Sequence, residues 1–218
     1  QRPKLATYLD TREGLTTGSN DKFLRLWWEV SFDNTCWNAL PGLNTDDIEY
    51  KWFPCVKGGE FRRWEGNKEY VVNWYKDGAE LKGFKDESTG RVRSHNYNGE
   101  YAFKAGITWS NISSGEFSVR SVPNGFMFDT KGPMGFPAFP DDVSEYAING
   151  FLNSSVTSYL IKMLAPTLDF KIGHILNLPF DVEAAKASSS ASRDAVKISL
   201  NDWNEYETSW GFKNNPLI

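Results

Sequence analysis

Two periodicities divide this chain, and the switch between them constrains its fold more than any single motif. Up to about residue 135 the chain reads as β-sheet and long loops, with apolar side chains at every second position in its clearest strand. In residues 22–30, Leu24, Leu26, Trp28 and Val30 alternate with Phe23, Arg25, Trp27 and Glu29, which predicts a strand leaving the GLTTGSN loop. EYVVNWYKDGAELKGF, residues 69–84, predicts two extended runs joined at Lys76-Asp77-Gly78, because Asp-Gly favours a tight hairpin turn. Further β-like runs cover 100–112 and 117–129, the second broken by a turn at Pro123-Asn124-Gly125.

After the Pro/Gly-rich stretch GPMGFPAFPDD, residues 132–142, the spacing becomes helical. Asp142 or Ser144 can cap EYAINGFL, and SSVTSYLIKMLA runs on to Pro166. Residues 184–195, AAKASSSASRDA, are small and polar and predict an exposed linker or helix end. The acidic, aromatic NDWNEYETSWGF, residues 201–212, suits the docking of another domain better than a DNA-facing surface. The expected class is α+β: a β-rich core over 1–135, a mostly antiparallel twisted sheet, and a helical part over 136–218 packed on one face. With 218 residues the chain can bury a substantial core as one compact unit.

The net charge of -4 conceals a gradient. Residues 1–50 hold 5 Lys+Arg against 8 Asp+Glu, residues 51–131 hold 13 against 10, and residues 132–218 hold 6 against 10. The basic middle also carries Trp52, Trp64, Trp74 and Trp109, and interleaved cations and aromatic rings suit a polyanion with flat bases. In the GLTTGSN loop, Gly14 and Gly18 permit positive φ and close approach. Thr16, Thr17, Ser19 and Asn20 with their N–H groups offer a nest for a phosphate, and Lys22 and Arg25 add charge. In VKGGEFRRWEGN, Lys57, Arg62 and Arg63 stand near Trp64; in STGRVRSHNYNG, Arg91 and Arg93 are two apart, with Asn96 and Asn98 following. Arginine can read guanine and asparagine adenine through paired hydrogen bonds, whereas lysine serves as a phosphate point charge. Arg120, inside an apolar run, reads as a structural ion-pair partner.

Other chemistries lack their residues. Cys36, Cys55, His95 and His174 form no metal-ligand spacing and no disulfide framework. The sequence has no nucleophile elbow, P-loop or dinucleotide fingerprint. Paired carboxylates keep a glycan-processing enzyme as the main enzymatic competitor, and nine tryptophans keep a carbohydrate-binding β domain beside it. Asn177-Leu178-Pro179-Phe180 has Leu178 where an amino-methyltransferase tetrad needs proline, and reads as a helix-to-strand connection. No apolar run approaches the roughly 20 residues of a membrane span, so no membrane partner and a cytoplasmic setting are expected. An initial Gln1 and the plain NNPLI end read as a piece of a longer chain.

EGLTTGSNDKFLRLWWEV, KWFPCVKGGEFRRWEGNKEYVVNW and GITWSNISSGEFSVRSVPNGFMFDTKG together resemble the target-recognition region of BREX-type adenine-specific DNA methyltransferases, also called phage growth limitation methyltransferases. GLTTGSN is also similar to the GxxTGxN motif that opens the specificity domain of TaqI-like enzymes. The resemblance continues through NGFLNSSVTSYLIKMLAPTLDFKIGHILNLPF and DWNEYETSWGF. It implies double-stranded DNA as partner, with Thr17, Gly18, Asn20, Lys22, Arg25, Lys57, Arg62, Arg63, Trp64, Arg91, Arg93 and Asn96 as contacts. It further implies a non-catalytic fragment with no cofactor of its own. S-adenosylmethionine would sit in a parent methyltransferase domain in cis, preceding Gln1. Further defence-system proteins are admitted as partners, and a protein-docking module is the remaining alternative.

Overall fold

The computed structural model describes residues 2–113, 115–165, 167 and 169–214. Among them are eight strands, β1 (Leu9–Arg12), β2 (Leu24–Leu26), β3 (Trp52–Val56), β4 (Tyr70–Asn73), β5 (Gly106–Trp109), β6 (Val119–Val122), β7 (Met127–Phe128) and β8 (Met134–Pro137). The helices are α1 (Asn20–Phe23), α2 (Tyr75–Lys82), α3 (Glu145–Leu152), α4 (Ser155–Leu164), α5 (Ile172–Leu176) and α6 (Val182–Asn204). The class is α+β, but with two four-stranded sheets where one was expected. One has the order β1-β8-β5-β6 and the other β2-β4-β3-β7. Every pairing is antiparallel except β3 with β7.

Alternation along the strands sorts side chains into three cores. Ile107, Trp109 and Val119 of the first sheet face Ile148, Leu152, Ile161, Ile175 and Phe180 of the helical part, so the helices do cover one face of that sheet. Val56, Val122, Phe128, Met134 and Phe136 fill the space between the sheets. Phe53, Cys55 and Val72 meet Leu15, Phe23, Trp74, Leu81 and Phe103 on the far face of the second sheet. Each such large side chain removed from water contributes about 1.5–3 kcal/mol.

The turn at Pro123-Asn124-Gly125 hands the chain from β6 in one sheet to β7 in the other. Ser144, one of the two expected caps, accepts the Ala147 N–H on α3. Asp142 instead pairs with Lys186. On β6, Arg120 is fully buried. Its Nη2 donates to Ser110 Oγ at 3.3 Å while Nε and Nη1 have no partner. Burial pushes its pKa down to about 10, against the charges of Glu69 and Glu65. It is buried, but among the described residues no carboxylate pairs with it directly, so the expected ion pair is not formed.

Four expectations need correction. Residues 22–30 hold only the short β2. α1 precedes it, and a 3-10 turn over Trp27–Glu29 ends it where Glu29 Oε2 accepts the Leu26 N–H at 2.8 Å. Residues 69–84 are no hairpin. Lys76, Asp77 and Gly78 are all left-handed, and Gly78 N–H bonds to Trp74 O at 3.0 Å. The Trp74 ring occupies the space of a Gly78 Cβ, so the chain coils tightly back and buries Leu81 rather than pairing as a strand. Residues 184–195 lie inside the 23-residue α6, because small residues let it press on α3: a Cβ on Gly150 would stand 2.0 Å from Ser192 Oγ. Finally, residues 177–180 join two helices. Leu5 N–H bonds to Leu178 O and Phe180 N–H to Pro3 O. The expected helix stop at Pro166 and the NNPLI end from 215 lie outside the described residues.

Candidate nucleic-acid interface

One projecting element gathers cations that the fold does not neutralise. From Phe84 to His95 the chain forms a short finger, closed by the Lys85–Val92 bridge, with Arg93 N–H bonding to Phe84 O at 2.9 Å and Asp86 N–H to Arg91 O at 2.8 Å. Its tip is an Asx turn. Asp86 Oδ1 accepts the N–H groups of Ser88 and Thr89 at 3.0 Å, and both hydroxyls besides. The Ser88 hydroxyl and the other donors hold the Asp86 carboxyl down at about 2. Gly90, at φ 67°, completes the turn. Lys85, Arg91 and Arg93 are all exposed, and among the described residues none has a carboxylate within ion-pair distance.

The GLTTGSN loop is the finger's base. Thr16 and His95 exchange backbone hydrogen bonds at 2.7 and 2.9 Å. Gly18, at φ 71°, lies so close that a Cβ would meet Arg93 backbone atoms at 2.9 Å. Thr17, buried, donates its hydroxyl to Asn20 Oδ1 at 2.7 Å, so this pair holds the loop's shape. Lys22 pairs with Glu80 at 3.1 Å and lies over the Phe84 ring at 5.0 Å; Arg93 flanks the same ring at 5.8 Å. Arg25 turns its Nη1 onto the carbonyls of Asp21 and Leu24. Past the finger, His95 stacks on Tyr97, which is 47% exposed. Asn96 packs under Gly99, where a Cβ would meet its Nδ2 at 2.7 Å, and Asn98 donates to Glu13 O. The fold therefore gathers Thr17, Gly18, Asn20, Lys22, Arg91, Arg93 and Asn96 around the finger and its base. Phe84, Lys85 and Tyr97 were missed, although the Asp-x-Ser-Thr-Gly turn between Lys85 and Arg91 marks the finger's tip.

Lys57, Arg62, Arg63 and Trp64 do not join this cluster. Trp64 N–H bonds to Val119 O at 2.9 Å and Ser121 N–H to Trp64 O at 2.7 Å, which extends β6 by one backbone bridge. Arg62 pairs with Asp202, donates Nε to Glu65 O at 3.1 Å and lies 4.7 Å from the Trp203 ring. Arg63 reaches Glu116 at 3.3 Å, and Lys162 reaches the same carboxylate at 3.1 Å. Lys57 lies over Tyr70 at 4.9 Å and, with the Gly132 and Lys131 N–H groups, opposes the burial that lifts Asp129 to about 6.

At 177–180, Leu178 and Phe180 are wholly buried, and the Asn177 amide binds Lys4 Nζ and Gly173 O. Among the described residues no helix is long and apolar enough to cross a membrane.

No family model matches the chain. It is 42% identical over 215 residues to the adenine-specific methyltransferase PglX of Lacticaseibacillus casei (strain Zhang), a match covering 99% of this chain and 18% of that protein. It is 39% identical over 203 residues to the adenine-specific methyltransferase BrxX of Escherichia coli O9:H4 (strain HS), covering 93% of this chain and 15% of that protein. Nearly the whole chain is thus homologous to a segment, less than a fifth of the length, of adenine-specific methyltransferases.

Proposed function

We propose that this chain is the DNA sequence-recognition module of an adenine-specific, S-adenosylmethionine-dependent DNA methyltransferase of the BREX phage-defence type. Its fold would be of the TaqI-like specificity-domain kind. The observation that carries the reading is the finger over residues 84–95, whose three exposed cations have no carboxylate partners, in a chain homologous to a segment of such enzymes. A narrow ribbon that carries free cations suits a groove of duplex DNA. In this reading Arg91 and Arg93 read base edges, and Lys85 and Lys22 meet phosphates. The Phe84 ring keeps Lys22 and Arg93 on one side.

Methyl transfer and cofactor binding belong to a parent domain in cis, in the cytoplasm, with room for further defence-system proteins. An enzyme that extrudes an adenine needs a second element to hold the flanking duplex in register, and the finger on its Gly18 base supplies a rigid one. The experiment is to map methylated adenines in cells carrying the intact enzyme with Arg91→Ala or Arg93→Ala. A recognised motif that becomes degenerate at one position is the expected result. An unchanged motif with uniformly less methylation would place base reading elsewhere.

A further inference from the structure

The helix α4 is apolar on two sides. Its inner side, with Thr157 and Ile161, is buried against the core of the helical part and the first sheet. On its outer side Val156, Tyr159, Met163 and Leu164 stand 43% to 69% exposed. With the half-buried Leu160 they recur at i, i+3, i+4, i+7 and i+8, which makes one continuous stripe. Lys162 is the one charged residue among the ten of α4. A helix that is apolar toward solvent as well as toward its own core has the pattern of one buried on both sides, and an apolar surface stripe of this kind marks an interaction site.

The stripe runs into a groove of about 300 Å³ between α4, α3 and the start of α6. Phe151, Val156, Leu160 and Pro179 line it, and the small side chains of Ala184 and Ser188 leave it open. Such a shape receives a large apolar side chain from whatever covers the helix. Cations at the rim are already matched: Lys162 reaches Glu116 at 3.1 Å, and Arg2 reaches Asp181 at 3.1 Å. The finger's cations are unmatched and these are not, so the chemistry of this face calls for neither a phosphate nor an anionic lipid headgroup. The two surfaces are also far apart in the fold. α4 packs on the helical side of the first sheet, and Phe84 at the finger's root packs on the far face of the second, so both sheets lie between them.

Size decides what covers the stripe. A second copy of this chain would meet it with the same five side chains, against about 20–30 residues per partner in a stable complex of separate molecules. Segments of one polypeptide need less, because the tether raises their effective concentration to about the millimolar range. The homologous methyltransferases extend well beyond this chain, which spans less than a fifth of their length. We propose that the α4 stripe and its groove seat an uncharged, apolar face of the parent methyltransferase polypeptide, from outside these 218 residues, with one large side chain in the groove. The proposal rests on the reading of this chain as one module of such an enzyme, and not on what the finger reads. A domain docked on α4 leaves the finger free to reach duplex DNA.

The test uses Val156→Cys as a reporter of cover. The rate of maleimide labelling at that position is read by peptide mass mapping, which separates it from Cys36 and Cys55. In the 218-residue chain the reporter should react as an exposed thiol. In the intact methyltransferase it should react about tenfold or more slowly, the protection given by a site closed roughly nine-tenths of the time. Adding Tyr159→Lys and Met163→Lys should restore the fast rate in the intact enzyme, and should leave the melting temperature of the 218-residue chain unchanged, because both side chains are exposed. Equal rates in the chain and in the intact enzyme would overturn the proposal, as would protection that survives the two lysines. Protection of the 218-residue chain that grows with its own concentration would identify a second copy as the occupant and overturn it too. Labelling is read without DNA, so a finger that reads no sequence would leave these results as they are.

Discussion

The finger over residues 84–95 and the segment 57–64 are alike in composition and opposite in placement. Both set arginines beside glycine and an aromatic ring, and both look like DNA contacts in one dimension. In three dimensions Arg91 and Arg93 project on a ribbon closed by an Asx turn, whereas Arg62 and Arg63 meet Asp202 and Glu116, and Trp64 is bonded into the edge of β6. The difference lies in what else reaches each place. α6 brings Asp202 and Trp203 to the second region, whereas the finger's own Asp86 is taken up by its Asx turn and pairs with none of the finger's cations. A basic aromatic stretch thus keeps its charges available only where the rest of the chain leaves them unmet.

The contrast would be broken first at its base. Gly18→Val places a branched side chain at φ 71° against the Arg93 backbone, so it should destabilise the protein by about 3 kcal/mol or more through strain and overpacking together. Loss of DNA binding and loss of stability should therefore occur together, as urea melts beside a binding assay would reveal. Little change in either would mean the finger and loop are not packed as described.

The second region makes its own pH-dependent prediction. Asp129, accepting the N–H groups of Lys131 and Gly132 at 2.8 and 2.9 Å, is raised from 3.8 to about 6 chiefly by burial. Because the folded value exceeds the unfolded one, the folded state holds the extra proton between about pH 4 and pH 6. Stability therefore falls as pH rises through that window and stays lower above it. Asp129→Asn keeps an acceptor and removes the titration, so its stability relative to wild type should improve by up to about 3 kcal/mol from pH 4 to pH 7. A pH-independent difference between the two melts would refute the assignment.

How much of this was legible depended on range. The Pro123-Asn124-Gly125 turn, the Ser144 cap and the change of period near 132–142 were readable because each is decided by residues within a few positions. The α6 interior at 184–195 was not, since its small residues mark a helix only once α3 and Gly150 lie against them. The hairpin expected at Asp77-Gly78 failed for a similar reason: the Trp74 ring, not the dipeptide, sets the turn. At the site, the meeting of Gly18 with Arg93 could be expected only as shared purpose, not as contact. The pairing of Lys22 with Glu80 and of Arg62 with Asp202 spans separations that no local pattern encodes.

Smaller effects sharpen the comparison. Arg91→Ala or Arg93→Ala should cost about 1–3 kcal/mol on cognate DNA and much less on random duplex, with thermal melts unchanged. Arg62→Ala should do the reverse, lowering stability by about 1 kcal/mol through its lost backbone and ring contacts. Lys22→Ala should matter least, because Glu80 already competes for that charge. A shift in the salt slope of less than one unit is expected from it.

The most direct test is DNA binding by the intact protein in two double variants, measured on cognate and on random duplex. Arg91→Ala with Arg93→Ala should lower the preference for cognate over random DNA by about tenfold or more, as lost base contacts do. Arg62→Ala with Arg63→Ala should leave that preference as in wild type, even where it lowers the melting temperature. The opposite pattern, with the preference falling for the 62/63 variant and unchanged for the 91/93 variant, would contradict the account.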